Sequence, residues 1–389
     1  MKKILMVLTS EFPPDQRVEN EAEAFIKIGY EVHIACFTRK KLPETDMYNS
    51  IVVHRKRINS FYYKSLALLP VIKVVFRFWK PFLTQLIRKY AFDVIHIHDL
   101  PLAELAFELK NKFGVKYVLD LHENWAVLQQ ISQHNRSFPG RIFFSFSAWL
   151  KYERRAVEDA DRVVTVVDEM KQRFVDMGID ESKIEVVQNT INIPQALPFN
   201  ANNQDDIIVF YGGGITLHRG LQTVFQALAG LPENSNIKFH IVGSGRYLPE
   251  LKQMAKNLKI ENCVVFHGYK PQHEFYAELA KSDVAIIPHT KTAHTDHTIP
   301  HKLFQYMYYE KPVIATDCLP IQRIVNETKA GIIYKHDDPL ALTKILQTIE
   351  TDANAFKSQY SVGKKWVLEK YNWQNDAQKL VCIYKEILQ

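Results

Sequence analysis

The fold is indicated by one stretch, Thr298-Ile299-Pro300-His301-Lys302-Leu303-Phe304-Gln305-Tyr306-Met307, which is followed three residues later by Lys311-Pro312-Val313-Ile314-Ala315-Thr316. Pro300 suits the first turn of a helix, because its missing N–H would be unpaired there anyway. The apolar residues after it recur at helical spacing and are expected to face a sheet: Leu303, Phe304, Met307 and Tyr308. The second run is typical of a buried parallel strand. A helix that begins from a loop with Lys302 in its first turn is suited to bind an anion.

The rest of the chain repeats this alternation of apolar strands and helices in two series, which a polar, Pro-containing stretch separates. Continuous Val/Ile/Leu strands between helices predict parallel sheets covered on both faces. We therefore predict an α/β protein with two tandem doubly wound domains. Its parts are an N-terminal domain at 1–193, a linker at 194–206, a C-terminal domain at 207–370, and a last helix at 371–389 that could pack back on the first domain.

Composition limits the cellular location. The chain has 389 residues, 47% of them hydrophobic, and no apolar run long enough to span a bilayer. Its four cysteines are scattered without metal-ligand spacing, which is typical of reduced thiols in the cytoplasm. The first apolar run, residues 4–8, is followed by Glu11, Pro13 and Pro14, so a buried strand fits better than a signal peptide.

Charge is placed unevenly although the net value is only +6. Between Arg39 and Lys89 the sequence has twelve basic residues and two acidic ones, interleaved from position 61 with aromatic side chains. This pattern suits contact with an anionic membrane surface, and residues 141–146 with Trp149 would extend that surface. The same pattern also fits a helix with an apolar core face and solvated cations. The sequence leaves both interpretations open.

Several ordered motifs resemble those of the GT-B glycosyltransferases, in particular family GT4, over nearly the whole chain. In the first half they are Phe12–Val18, Asp93–Asp99, Asp120–Glu123 and Glu153–Asp168. In the second half they are Arg219-Gly220-Leu221, Val242–Gly245, Phe266–Gly268 and Ser282–Pro288, before the opening stretch with its Pro-x-Lys-Leu-Phe-x-Tyr-Met signature. The resemblance implies two Rossmann-like domains with a cleft between them, a nucleotide diphosphate sugar on the second and an acceptor on the first.

The resemblance also assigns roles to residues. For the donor it implies contacts from the glycine turns and the opening stretch: Gly213, Gly214, Gly243, Gly245, His267, Gly268, His297, Pro300, His301 and Gln305. Arg219 and Lys302 would supply positive charge to the leaving diphosphate, so that no metal or other cofactor is expected. Short glycine motifs also form tight turns without a ligand.

On the acceptor side the resemblance implies a catalytic role for His122, which would contact the transferred sugar, and further contacts from Arg17, His98, Asp99 and Glu123. Simpler roles compete with these. His122 could bond a backbone carbonyl at the core edge, Asp99 could cap the helix that begins near Pro101, and Arg17 could pair with Glu21.

Four positions depart from the family pattern. His297 and Gln305 stand where the family has two glutamates, and Gly213 stands where an arginine is expected. Arg323 lies near the position where a further glutamate often follows the strand 312–316. Gln305 can still hydrogen-bond ribose hydroxyls, but without the strength of a charged acceptor. The departures leave the nucleotide base and the sugar open.

The sequence therefore predicts a retaining, metal-independent glycosyltransferase that moves a sugar from a UDP- or GDP-sugar to a glycan or lipid-linked acceptor in surface polysaccharide biosynthesis. We expect a cytoplasmic protein, with contact to the inner face of the membrane through residues 61–89 left open, and no nucleic acid partner. The alternatives are a non-catalytic glycan-binding or partner subunit, and a sugar-nucleotide epimerase on the same fold.

Overall fold

The computed structural model describes residues 1–59, 69–71, 73–131, 144–193 and 206–389. Its contacts divide the chain into two compact units. Unit 1 comprises Met1–Gln188 with Gln374–Gln389, and unit 2 comprises Asn189–Trp373. Residues 189–193, which we predicted in the first domain, thus belong to unit 2. The predicted linker lies outside the described residues except for Asp206.

Unit 1 is built on an eight-stranded sheet. Its strands are Lys3–Val7 (β1), Glu31–Thr38 (β2), Thr45–Tyr48 (β3), Ile51–Arg57 (β4), Val94–His98 (β5), Lys116–Leu121 (β6), Arg162–Thr165 (β7) and Ile184–Val186 (β8). They lie in the order β3-β4-β2-β1-β5-β6-β7-β8. Neighbours pair in parallel, as predicted, except that the edge strand β3 is antiparallel to β4. We did not predict β3, because it is largely exposed and has no run of apolar residues.

Helices connect these strands. They are Gln16–Lys27 (α1), Val74–Tyr90 (α2), Ala103–Phe113 (α3), Trp125–Ile131 (α4), Phe146–Asp159 (α5) and Asp168–Asp176 (α6). Helix α1 begins where the Asp15 side chain accepts a hydrogen bond from the Val18 N–H, and it ends before Gly29, whose φ is +85°. Its capping places Arg17 in the first turn of the helix, two residues after Asp15.

Unit 2 contains a six-stranded parallel sheet. Its strands are Ile207–Gly212 (β9), Ile237–Val242 (β10), Val264–Gly268 (β11), Val284–Ile287 (β12), Val313–Thr316 (β13) and Gly331–Tyr334 (β14), in the order β11-β10-β9-β12-β13-β14. The helices are Leu221–Ala229 (α7), Leu248–Asn257 (α8), Gln272–Lys281 (α9), Lys302–Tyr308 (α10), Leu319–Thr328 (α11), Pro339–Thr351 (α12), Ala353–Tyr360 (α13) and Gly363–Glu369 (α14). The two parallel sheets confirm the predicted pair of doubly wound α/β domains.

The opening stretch forms the predicted loop, helix and strand. Helix α10 begins at Lys302, and β13 follows it. The four apolar residues that we expected to face the sheet are all buried, and so are Lys302 and Tyr306. Burial of Lys302 is not expected from the apolar pattern, because a lysine is almost never buried unless it is paired.

Unit 2 ends in two short helices after α12. They are α13 and α14, which Ser361 and Val362 separate. Helix α14 packs tightly on α10, since a Cβ atom on Gly363 would lie 2.7 Å from the Cβ atom of Met307. The last helix is Trp373–Ile387 (α15), and from Gln374 onward it belongs to unit 1.

Helix α2 carries the described part of the basic, aromatic segment. Phe76, Phe78 and Trp79 are buried, so the aromatic residues form a core face. Lys73 forms an ion pair with Glu104, and Lys80 lies 2.7 Å from Glu108. Residues 60–68, 72 and 141–143 of the same prediction lie outside the described residues. None of the helices in the described ranges combines the length and the apolar character needed to cross a bilayer.

Candidate functional site

The strand order of each sheet marks where a ligand would bind. In unit 2, chain connections run in opposite directions from β9 and β12, and in unit 1 from β1 and β5. Ligands of doubly wound sheets bind beyond the carboxyl ends of the strands at such a switch point. The loops at these points carry Gly212-Gly213-Gly214 and Pro288-His289 in unit 2, and the segment before Arg17 and His98-Asp99 in unit 1.

In the second glycine turn of unit 2, close packing of the backbone explains why glycine is required. A Cβ atom on Gly243, whose φ is +151°, would lie 1.9 Å from the carbonyl oxygen of Gly213. One on Gly245 would lie 1.9 Å from the carbonyl oxygen of Ile215. Gly243 and Gly245 therefore let two turns pack backbone against backbone, which no other residue type would permit.

The first glycine turn instead borders a buried cation. The Nζ atom of Lys302 lies 2.8 Å from the position of a Cβ atom on Gly213, and 4.1 Å from the centroid of the Tyr211 ring. Gly214, whose carbonyl oxygen accepts a hydrogen bond from the Tyr211 hydroxyl at 2.7 Å, has nothing within 4 Å of its Cβ position. A second contact holds α10 here, since the Gly212 N–H donates to the Tyr306 hydroxyl at 2.9 Å.

Lys302 has no counter-charge in the described part of unit 2. Its Nζ atom is buried and donates no hydrogen bond to any described residue. Burial and then the charge of Arg219 lower the pKa of Lys302 well below its usual value, and no carboxylate opposes that shift. A buried ammonium group is costly without a partner, so this position is suited to a ligand anion.

Arg219 supplies the second cation of this site. It ends a short 3₁₀ helix, Leu217–Arg219, and its Nη1 atom donates to Nε2 of His289 at 3.1 Å. Burial, followed by the charges of Arg219 and Lys302, keeps the pKa of His289 well below its ordinary value, so the ring is neutral and can accept that bond. We did not predict His289; its place directly after Pro288, at the end of β12, is the signal that could have identified it.

The other residues predicted to contact the donor lie around the start of α10 and at the end of β11. Pro300 and His301 precede α10, and His301 is exposed at its N-cap. The Nδ1 atom of His297 donates to the Ala293 carbonyl at 2.6 Å. The Gln305 amide donates to the Tyr276 hydroxyl at 3.2 Å. The last two predicted donor residues lie at the end of β11: His267 pairs with His240 at 3.2 Å, and the Gly268 carbonyl accepts from the Gly243 N–H at 2.8 Å.

In unit 1 the predicted catalytic His122 is held by a carboxylate. Its Nε2 atom lies 2.6 Å from Oδ2 of Asp120, at the end of β6. Desolvation alone would lower the pKa of His122, but the charge of Asp120 outweighs it and raises the pKa to about 9. His122 is therefore an imidazolium at neutral pH. It bonds Asp120 rather than the backbone carbonyl that we weighed as its simpler role.

Asp120 also pairs with Arg17. The Nη2 atom of Arg17 lies 3.0 Å from Asp120, its Nε atom lies 2.9 Å from Glu21, and its Nη1 atom donates to the Val187 carbonyl at 3.2 Å. Desolvation opposes ionisation of Asp120, but Arg17 and His122 hold its pKa well below the usual range. Burial and the charge of Asp120 raise the pKa of Glu21 well above its usual value. The predicted alternative, an Arg17–Glu21 pair, is thus present.

Two further predicted residues lie at the carboxyl end of β5 and directly after it. The His98 Nδ1 atom lies 3.4 Å from Nε2 of His122, and burial lowers the pKa of His98 well below its ordinary value. The Asp99 carboxylate accepts a hydrogen bond from the backbone N–H of His122. It does not cap α3, which begins at Ala103 after Leu102. Glu123 lies half-buried in the turn after β6.

Sequence reasoning missed three members of this cluster: Asp120 and His96 as functional groups, and Tyr384 from α15. The hydroxyl of Tyr384 hydrogen-bonds the Nδ1 atom of His96, whose Nε2 atom lies 3.5 Å from Asp120. His96 and His98 are two residues apart on β5 and so share a face, and His122 follows Asp120 by two residues just beyond the end of β6. That spacing could have identified Asp120 and His96, whereas nothing in the sequence identifies Tyr384.

Comparisons with known proteins show similarity to glycosyltransferases over nearly the whole chain. The sequence model of the family described as "Glycosyltransferase Family 4" matches residues 16–194, and that of "Glycosyl transferases group 1" matches residues 193–366. An uncharacterised glycosyltransferase of Methanocaldococcus jannaschii is 23% identical over 98% of this chain and 98% of its own. A putative colanic acid biosynthesis glycosyltransferase of Escherichia coli is 27% identical over 48% of this chain and 47% of its own.

Among solved structures, the Anabaena protein HepE in complex with UDP-glucose superposes on this chain with a TM-score of 0.71. The match covers 99% of this chain and 100% of that one, at 15% sequence identity. At this identity the likeness concerns the fold, which is the two-domain α/β fold seen here.

Proposed function

Since the chain belongs to family GT4 of the GT-B glycosyltransferases, we propose that it is a retaining, metal-independent enzyme. It transfers a sugar from a nucleotide diphosphate sugar to a glycan or lipid-linked acceptor in surface polysaccharide assembly. Unit 2 binds the donor, and unit 1 carries the acceptor-side groups. The name of the E. coli relative, which refers to colanic acid, supports the polysaccharide, and the UDP-glucose complex of HepE supports the donor class.

One observation carries the donor proposal: Lys302 and Arg219 lie at the same switch point without a carboxylate between them. The charge of Arg219 lowers the pKa of Lys302, so the two cations are close enough to repel each other. A diphosphate between them would remove that repulsion and give the buried ammonium its partner. Two fixed cations would also do the work of a metal ion, because they stabilise the charge of the leaving diphosphate.

The transfer step exchanges one bond at the anomeric carbon for another. The bond between the anomeric carbon and the phosphate oxygen breaks, and its electron pair goes to the diphosphate, which Lys302 and Arg219 stabilise. The acceptor hydroxyl forms the new bond on the same face of the sugar. Its proton passes to the departing phosphate oxygen. The anomeric configuration is retained because attack and departure share one face.

His122 has a restricted role in this scheme. Because Asp120 raises the pKa of His122 to about 9, the ring is already protonated at neutral pH and cannot remove a proton from the acceptor. We assign it as a hydrogen-bond donor to a sugar hydroxyl, with Asp120 as the residue that positions it. The glutamine at 305 takes the ribose contact through its side-chain oxygen, since its amide nitrogen bonds Tyr276.

The experiment that tests this function is a panel of UDP- and GDP-sugars. We expect one nucleotide class to raise the melting temperature of the protein, and its sugar form to release nucleotide when a glycan or lipid-linked acceptor is added. Lys302→Met should abolish both effects. Lys364→Met, at a surface pair with Glu310, serves as the matched control and should change neither.

Other outcomes distinguish the alternatives. Binding of a glycan without any binding of UDP or GDP would contradict the proposal and identify a non-catalytic subunit. Conversion of the sugar nucleotide without an acceptor would identify an epimerase.

We propose a peripheral membrane contact only through those basic residues of the segment 61–89 that are exposed and not held in ion pairs. In α2 the side chains of Phe76, Phe78 and Trp79 are buried, and Lys80 and the preceding Lys73 are paired. The exposed cations of that helix are Arg77, Arg88 and Lys89. Co-sedimentation with anionic liposomes should therefore fall little on Arg77→Glu. A large fall on charge reversal within 60–68 would instead assign the contact to that segment, and no binding by the wild type would exclude it.

A further inference from the structure

A second group of ligand-type side chains lies in unit 2, and the transfer step proposed above does not use it, although the resemblance assigns its member His267 to the donor. It consists of His240 on β10, His267 at the end of β11 and Glu278 on α9. The Nδ1 atom of His240 lies 3.2 Å from Nε2 of His267. One nitrogen from each ring and one carboxylate oxygen all lie within 4.8 Å of one another, and the three residues are half-buried.

The fold holds these side chains in place. Helix α9 packs on the sheet through Phe275, whose ring meets that of Phe210 edge-on at 5.5 Å. Phe210 is the β9 partner of His240, and Glu278 follows Phe275 by three residues on the same face of α9. The packing of Phe275 therefore carries the Glu278 carboxylate toward His240.

A register shift brings in the third residue. Strands β10 and β11 pair Ile241 with Phe266 and then Val242 with Gly268, so His267 has no paired residue on β10. Such irregularities commonly re-aim a side chain near a functional site. Here the shift leaves the His267 ring beside His240, with ring centroids 4.9 Å apart.

The chemistry of the group favours a metal ion. Two imidazoles and a carboxylate are a common ligand set of Zn²⁺, and two nitrogens bound to one tetrahedral ion are about 3.4 Å apart. The observed separation of 3.2 Å between the ring nitrogens is close to that value. Burial lowers the pKa of both histidines, so each ring has a lone pair available at neutral pH.

A comparable group in unit 1 is less suited to a metal ion, because its carboxylates already pair with an arginine. Glu21, His96, His98 and Asp120 also bring their ligand atoms together, but all four are buried. The Arg17 guanidinium already lies 2.9 Å from Glu21 and 3.0 Å from Asp120. That group has its cation, whereas the ion pair of the unit 2 group among the described residues is with Lys281, whose Nζ atom lies 3.4 Å from Glu278 and whose side chain is 45% exposed.

We propose that His240, His267 and Glu278 bind one transition metal ion of the Zn²⁺ class. The three ligands leave a further coordination position for water, as three-ligand zinc sites do. Binding links α9 to the strands β10 and β11 and occupies the Nε2 atom of His267. The ion takes no part in sugar transfer, for which Lys302 and Arg219 supply the positive charge.

The test uses the full-length protein after treatment with a chelator. Isothermal titration with Zn²⁺ should give one ion per chain, and Zn²⁺ should raise the melting temperature. His240→Ala and Glu278→Gln should each weaken binding at least about tenfold. Co²⁺ should give the visible absorption of a four-coordinate ion in the wild type and not in these variants.

Two further variants sharpen the test. Lys281→Met removes the group that competes with the ion for Glu278, so it should tighten Zn²⁺ binding. His336→Ala removes a histidine that pairs with Asp317 at 2.9 Å and should leave binding unchanged. Equal affinity of the wild type and Glu278→Gln, or no binding by the wild type, would overturn the proposal. Glu278→Gln keeps the test valid if His240→Ala does not fold.

Discussion

The Nε2 atom of His122 lies 2.6 Å from Oδ2 of Asp120, and the same carboxylate lies 3.0 Å from the Arg17 guanidinium. The buried Asp120 carboxylate thus pairs with two cationic side chains. Because the pKa of Asp120 is held well below its usual range, the carboxylate stays ionised and keeps His122 protonated. This arrangement fixes both the orientation and the charge of the ring before any ligand binds.

Asp120→Asn should remove the charge that protonates His122. We expect the pKa of His122 to fall well below about 9, since desolvation and the Arg17 charge, which both lower it, are then opposed mainly by the charge of Asp99. The transfer rate should drop about 100-fold, because a neutral ring is a weaker hydrogen-bond donor. Titration of the imidazole nitrogens by NMR measures the pKa. Asp46→Asn, at the more exposed pair with Arg55, is the control and should alter neither quantity.

Much of this cluster could be predicted from sequence, and the reason is the period of a strand. His98, Asp99 and His122 lie at or just beyond the ends of apolar strands, where the edge of a parallel sheet brings their side chains together. Asp120 is harder to assign from the sequence, because a residue inside an apolar strand is usually expected in the core. Tyr384 could not be predicted, since its contact with His96 joins positions far apart in the chain.

Lys302→Met should separate ligand binding from stability. Without a nucleotide, the variant should be more stable than the wild type, on the order of 1–3 kcal/mol, because it removes a buried cation that lacks a partner. In the presence of the preferred nucleotide, the order should reverse, because only the wild type is stabilised. Urea unfolding with and without nucleotide measures both. A less stable variant that still responds to nucleotide would contradict the assignment of Lys302.

The sequence does not determine whether the two glycine turns of unit 2 bind a ligand or serve only close packing. The sequence places Gly213 and Gly243 after parallel strands, and it is equally consistent with a ligand turn and with a packing turn. The structure distinguishes them sterically: Gly243 meets the backbone of Gly213, whereas Gly213 meets the ammonium group of Lys302. That difference arises from contacts between loops, which local sequence does not specify.

Tyr384→Phe should show how strongly α15 is tied to unit 1. The change leaves the buried Nδ1 atom of His96 without its hydroxyl partner, so we expect a loss of about 1–3 kcal/mol in the free energy of unfolding. Urea unfolding followed by circular dichroism measures it. Lys385→Ala, at an exposed position of the same helix, should change the value by less than about 0.5 kcal/mol. Equal stability of Tyr384→Phe and the wild type would show that the hydroxyl is replaceable by water.

Gly363→Ala tests the close contact between α14 and α10. The added methyl group would lie 2.7 Å from Cβ of Met307 on α10, so the two helices must move apart or strain. We expect a loss of about 1–3 kcal/mol in the free energy of unfolding, despite the better helix propensity of alanine. Ser361→Ala, between the two helices, is the control. An increase in stability would mean that α14 can shift at little cost.

The pair of histidines between β2 and β4 predicts how stability depends on pH. The Nδ1 atom of His33 lies 2.8 Å from Nε2 of His54, and both rings are buried. Burial and the proximity of His33 lower the pKa of His54 to about 4, whereas in the unfolded chain it is about 6.5. The unfolded state therefore binds more protons between these values, and stability falls as the pH falls through this window.

His54→Gln removes this titration while it keeps a group that can hydrogen-bond His33. Between pH 6.5 and pH 4 the wild type should lose about 3 kcal/mol more of its free energy of unfolding than the variant does, which is the free-energy equivalent of the pKa difference. Urea unfolding at a series of pH values measures both slopes. His273→Gln, at an exposed position of α9, should follow the wild type. Parallel slopes for the wild type and His54→Gln would mean that His54 becomes protonated without loss of the fold.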